Sequence, residues 1–156
     1  MVIDFKKLIK NIAIPLIVGI VAGILTRDDV KAFTQTAVQP SFQPPPVLFP
    51  IVWTILYIMM GISAYIAETN QKNGDKSPFV FYYAQLFFNF VWSFIFFSAE
   101  NYLLALVWIV ILLMLIIITT IKFGQIKPAA AYLMIPYILW VSFATILNYS
   151  IYILNR

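Results

Sequence analysis

The chain has 156 residues, 63% hydrophobic and 10% charged, with a mean hydropathy of +0.94; a water-soluble domain of this length needs more charge to cover its surface, so its solvent is mainly lipid. It contains no cysteine and no histidine, which excludes disulfides and thiolate metal sites and removes the commonest general base and metal ligand. The net charge of +4 is small and sits at the ends of apolar runs, so it reads as membrane topology rather than nucleic-acid binding.

The apolar runs predict an all-α integral membrane bundle of five transmembrane helices, in a single domain. The first span, residues 8–26, is the weakest, because Lys10, Asn11 and Pro15 interrupt it. Lys6, Lys7 and Lys10 ahead of an apolar run also resemble a signal peptide. No small-x-small cleavage site precedes Arg27, so a retained helix is expected. Within it Gly19 and Gly23 form G-x-x-x-G, a packing or dimerisation motif. Residues 27–46 make the longest connection, which we expect to lie as a lid over one end and to gate entry by moving. It ends in Pro44, Pro45 and Pro46, which fix φ and remove backbone donors, giving the second span (47–68) a rigid entry.

In that second span Trp53, Tyr57 and Gly61 repeat every fourth residue and share one face. The third span (79–99) spaces Gln85, Asn89 and Ser93 in the same way. An amide left unpaired in hydrocarbon costs several kcal/mol, so this face is expected to turn inward. The fourth span covers 102–122. The fifth (128–153) carries Tyr137, Trp140, Ala144 and Asn148 at spacings of three and four; the apolar run it belongs to, residues 128–155, reaches ~42 Å at ~1.5 Å per residue, so it tilts or projects beyond the core. Pro15 and Pro136 fall inside helices. Polar residues in such a bundle often only bond helices together, which is the reading for Gln85, Ser93 and Asn148. Convergent aromatics with a few polar groups also describe a small-molecule pocket.

Charge sets the orientation. Lys6, Lys7, Lys10, Lys72, Lys76, Lys122 and Lys127 fall in the N-terminus and the second and fourth connections, against Arg27, Lys31 and Arg156 elsewhere. Cytoplasmic loops collect Lys and Arg, which predicts the N-terminus cytoplasmic and the C-terminus outside. No Asp, Glu, Lys or Arg falls in the middle of the four stronger spans, and Glu68 and Glu100 read as boundary residues. This argues against a proton-driven exporter, which would place an ionisable group near the midplane.

Three stretches together carry a resemblance: P-S-F-Q-P-P with F-P-I-V-W-T-I-L-Y-I-M-M-G (40–61), N-F-V-W-S-F-I-F-F (89–97) and P-Y-I-L-W-V-S-F-A-T-I-L-N-Y (136–149). Over residues 40–152 the chain resembles the TspO/MBR family, the tryptophan-rich sensory and translocator proteins (peripheral benzodiazepine receptors). The resemblance implies a five-helix membrane fold, commonly a homodimer. It implies binding of porphyrins such as protoporphyrin IX, taken as ligand rather than cofactor, and of synthetic benzodiazepine-type ligands. By resemblance Trp53 and Asn89 hydrogen-bond a ligand carbonyl, Trp140 and Ala144 form the fifth-helix wall, and Phe33, Phe42, Pro44 and Pro45 belong to the lid. Tyr57, Phe49, Trp92 and Gln85 complete the expected ligand-binding set, although Trp92 also reads as a core or lipid-facing residue and Gln85 as a helix-to-helix bond.

The expected function is therefore a membrane-embedded binding protein or sensor for porphyrins and similar hydrophobic ligands, with a part in their transport. The alternatives are a light- or oxygen-dependent porphyrin-degrading enzyme and a transporter of small hydrophobic metabolites. Phe42 and Phe33 stand where relatives carry tryptophan, which removes the easily oxidised indoles and counts against the photochemical alternative. Trp108 stands where the family often has an acid. A sterol-type pattern can be read through Leu147, Tyr152 and Arg156, but it is too permissive to imply sterol specificity. The lysine bias, and a C-terminus without the basic extension of animal members, point to a prokaryotic cell membrane.

Overall fold

The computed structural model describes residues 3–72 and 74–156. Six α-helices follow in chain order: α1 (Phe5–Leu25), α2 (Arg27–Thr36), α3 (Leu48–Asn70), α4 (Ser77–Ser93), α5 (Tyr102–Ile126) and α6 (Pro128–Leu154). Five spans are long and apolar enough to cross a membrane: α1, α3, α5, α6, and α4 together with the helical turn that carries it on to Ser98. The all-helical five-span architecture expected from the sequence is what the chain adopts.

Local chemistry sets the ends. Asp4 accepts the Lys7 amide at 3.1 Å and starts α1 before the first apolar residue of the run. Asp75 accepts the Ser77 amide at 2.8 Å ahead of Pro78 in the first turn of α4; that bond and the Ser77 hydroxyl hold its carboxyl below the usual carboxylate range. Asn101 caps α5 through the Leu104 amide at 3.0 Å. The third span does not continue as an α-helix to residue 99. It passes into a π-helical turn, Phe94–Ser98, closed by Ala99 N–H on Phe94 O at 2.9 Å and Asn101 N–H on Ile95 O at 3.1 Å. Glu100 takes φ 49° there, a left-handed conformation that lets α5 start after a connection of only three residues.

The spans form a closed ring in the order α1, α3, α6, α5, α4, with the α4–α1 seam the thinnest. The core runs down the middle, from Leu56, Tyr57 and Met60 on α3 to Leu86 on α4, Ile109, Leu112 and Ile116 on α5, and Met134, Tyr137 and Val141 on α6.

The α1–α3 seam explains why α1 tolerates Lys10, Asn11 and Pro15. Pro15 has no N–H, so the Asn11 carbonyl one turn earlier loses its helical donor. That carbonyl lies against Gly61: a Cβ there would sit 2.6 Å from Asn11 O and 2.4 Å from Ile12 Cα. The Asn11 side chain donates to Lys7 O at 2.9 Å and to the Glu68 carboxylate, which also pairs with Lys10 at 3.0 Å. The residues that weaken the hydropathy of the first span are therefore its polar docking points. Of the two glycines in G-x-x-x-G, Gly19 serves packing within the chain, since a Cβ there would meet the Tyr57 ring at 2.2 Å; Gly23 has nothing within 4 Å.

Candidate functional site

Near the end of the bundle that carries the 37–47 segment, α3 and α6 face each other with aromatic side chains in two steps. Phe49 meets Trp140 with ring centroids 5.7 Å apart, edge to face. One turn further along, Trp53 meets Tyr137 at 6.1 Å and stacks on Tyr57 at 5.6 Å. The fourth-residue spacing on α3 and the third-residue spacing on α6 put these rings on the facing sides of two neighbouring helices. Ala144 continues the α6 face as a small buried residue.

Beneath the rings a chain of side-chain hydrogen bonds crosses from α3 through α4 to α6 and back. Tyr57 Oη donates to Asn89 Oδ1 at 2.9 Å. Asn89 Nδ2 donates to Tyr137 Oη at 2.7 Å, and Tyr137 Oη donates to Gln85 Oε1 at 2.8 Å. Gln85 Nε2 ends the chain on Met60 Sδ at 3.4 Å. All five residues are buried. The polar stripe of the third span thus turns inward at Gln85 and Asn89, and both amides are engaged inside the protein. Tyr137 stands at the hub of this chain. The sequence shows it only as one member of the 137/140/144/148 stripe, and nothing there marks it above its neighbours.

One polar atom of the aromatic set stands apart. Trp140 Nε1–H is buried and has no hydrogen-bond partner among the described residues, a state shared by the Gln43 side-chain oxygen in the proline-rich segment and by the Tyr82 hydroxyl deeper in the core. A buried donor without an acceptor costs about 1–3 kcal/mol. Two shallow concavities lie outside the aromatic set. One, of about 360 Å³, opens among Glu100, Tyr102, Tyr152 and Arg156. The other, of about 380 Å³, follows the α1–α4 seam between Ile14, Val18, Tyr83 and Phe87.

The model of the TspO/MBR family matches residues 11–154. The chain belongs to the TspO/MBR family. It is 40% identical over 146 residues to the tryptophan-rich protein TspO of Chlorobaculum tepidum, covering 92% of each chain. It is 36% identical over 152 residues to the TspO of Archaeoglobus fulgidus, covering 97% of this chain and 99% of that one. The human translocator protein is 33% identical over 117 residues, 73% of this chain and 69% of the human one.

Of the residues that the TspO/MBR resemblance singles out, the structure brings Trp53, Tyr57, Gln85, Asn89, Phe49 and Trp140 into one cluster, with Ala144 one turn beyond Trp140. Phe33 and Trp92 belong to a second cluster with Phe96 and Ile151. There Trp92 stacks on Phe96 at 4.8 Å and donates Nε1–H to Asn148 Oδ1 at 3.2 Å. Asn148 also donates to Tyr102 O at 2.9 Å, so it does join helices. Trp108 stacks on Phe88 at 4.3 Å and donates to the Phe88 carbonyl at 2.9 Å.

The 27–46 connection differs from a plain loop, because its first half is the helix α2. Asp28 and Asp29 in the first turn favour that helix. Its one buried residue, Phe33, packs edge to face on Phe96 at 5.2 Å and Phe97 at 5.4 Å, and Ser98 Oγ donates to Asp29. Phe42 and Pro45 are exposed, and Pro44 is half-buried. Asn155, just past α6, clips the segment from both sides: it accepts from Val38 N–H at 2.9 Å and donates to Val38 O at 2.8 Å. Asn155→Ala removes both bonds. The Val38 amide of that variant should exchange with solvent roughly tenfold faster, as loss of two partly exposed bonds implies. Unchanged exchange would show that the aromatic packing of α2 alone holds the segment.

Proposed function

We propose that the protein is a membrane-embedded binding protein, acting as a sensor, for porphyrins and similar flat hydrophobic molecules held between α3, α4 and α6. The observation that carries this reading is the unpaired, buried Trp140 Nε1–H at the top of the aromatic ladder formed with Phe49, Trp53 and Tyr137. In hydrocarbon no water reaches such a donor, so a ligand oxygen that accepts from it gains a bond without displacing one. The rings beside it offer flat apolar surface on which a conjugated macrocycle can stack. Family membership supports the same reading. A relative from Cereibacter sphaeroides, 33% identical over 117 residues, bears the name tryptophan-rich sensory protein.

Titration of the detergent-purified protein with protoporphyrin IX in the dark, followed by tryptophan fluorescence, tests it. Saturable micromolar quenching is expected, weakened about tenfold when Trp140→Phe and Asn89→Ala are combined, since a hydrogen bond contributes ~0.5–1.5 kcal/mol and tenfold is ~1.4 kcal/mol. Quenching no stronger than partition into empty detergent overturns the reading.

A further inference from the structure

The hydrogen bonds that cross the bundle have a direction, and one end of the chain decides it. A phenol donates or accepts and a primary amide can turn over, so Tyr57, Asn89, Tyr137 and Gln85 taken alone could be joined either way round. Gln85 Nε2, however, lies 3.4 Å from Met60 Sδ, and a thioether only accepts. Turned over, Gln85 would set its oxygen against the sulfur, acceptor to acceptor, where neither residue has any exposed surface. Gln85 therefore gives N–H to Met60 and keeps its oxygen for Tyr137. Tyr137, its proton committed to Gln85, accepts from Asn89. Asn89, its nitrogen turned toward Tyr137, leaves its oxygen to Tyr57.

We propose that Met60 is a positioning residue for the ligand site: acting through Gln85 and Tyr137, it holds the Asn89 amide nitrogen on the side of Tyr137, so that the site presents donors and takes a neutral hydrogen-bond acceptor such as an ester or amide carbonyl. The proposal rests on the binding reading above; the carbonyl at Asn89 is what the family resemblance implies, and what is added is the residue that turns the amide nitrogen toward it. Asn89 has a second N–H beyond the one given to Tyr137, and Trp140 Nε1–H adds another donor without a partner. α3, α4 and α6 carry no Lys or Arg, so a carboxylate would enter without a counter-charge, at a high desolvation cost. A porphyrin bearing acid side chains reaches these donors only at that cost, which weakens its binding; its neutral ester reaches them without it.

The test compares the wild type with Met60→Leu, which keeps volume and apolarity and deletes only the acceptor. Two probes are titrated in the dark, protoporphyrin IX and its dimethyl ester, each corrected for partition into empty detergent. The nitrogen–proton resonances of the Asn89 and Gln85 side-chain amides are followed alongside. In the wild type the ester binds more tightly than the diacid. In Met60→Leu ester affinity falls at least twofold, because an amide held in the competent orientation half of the time halves the apparent affinity. The Asn89 resonances also shift or split, although two links separate that residue from position 60. A resonance change confined to Gln85, with ester affinity unaltered, overturns the positioning role and leaves Met60 as packing. Absence of saturable ester binding in the wild type, with Asn89 still responding to Met60→Leu, overturns the binding reading and the ligand class while the direction of the chain stands.

Discussion

Gly61→Ala is expected to destabilise the bundle by about 1–3 kcal/mol, toward the upper figure, as overpacking of a close helix contact does. The added Cβ would fall 2.4 Å from Ile12 Cα and 2.6 Å from the Asn11 carbonyl. Both are backbone atoms, so no rotamer change relieves the clash, and α1 must back away from α3. Moving α1 also strains what is anchored beside the contact: the Asn11 bond to Glu68 and the Lys10–Glu68 ion pair. Thermal unfolding in detergent, followed by circular dichroism, measures the effect. Gly23→Ala is the control, because nothing lies within 4 Å of that position and alanine is the better helix former. Equal melting of the two variants would mean that the α1–α3 seam is not packed as described.

Tyr137→Phe is expected to cost about 2 kcal/mol of stability, more than Tyr57→Phe. The Tyr137 hydroxyl is bonded on both sides, so its loss frees Gln85 Oε1 and one Asn89 N–H together. Loss of the Tyr57 hydroxyl frees Asn89 Oδ1 alone. Each unsatisfied buried group costs about 1–3 kcal/mol. Asn89 and Gln85 stand four residues apart on one helix and can bond each other when Tyr137 is gone, which trims the sum. The order of the two melting temperatures is the decisive reading: Tyr57→Phe melting below Tyr137→Phe would remove Tyr137 from the hub.

Much of this bundle can be read in one dimension. Long apolar runs locate the five spans, because a helix that crosses hydrocarbon needs its length in uncharged residues. A fourth-residue amide stripe in such a helix must turn inward, as Gln85 and Asn89 do. What periodicity does not hold is which faces meet. Trp140 and Phe49 lie 91 residues apart, and their pairing depends on α3 and α6 being neighbours in the ring. Phe33 sits in a short polar stretch that hydropathy passes over, and its partners Phe96 and Phe97 follow from the π-helical turn that re-aims them. Met60 reads as one more apolar residue among M-M-G. Its importance comes from the amide placed beside it, which only the folded chain reveals.

The ring order also bears on biogenesis. α6, the last of these helices to leave the ribosome, closes the circle by wedging between α3 and α5. Until it inserts, Asn89 lacks the Tyr137 oxygen and Gln85 lacks the Tyr137 proton, so two amides of α4 face lipid or a neighbour's backbone without their final partners. A nascent chain stalled before Pro128 is thus a four-span intermediate with exposed polar groups at membrane depth, the kind of surface that intramembrane quality control can recognise. Completion of the chain buries that signal in the same step that assembles the aromatic ladder.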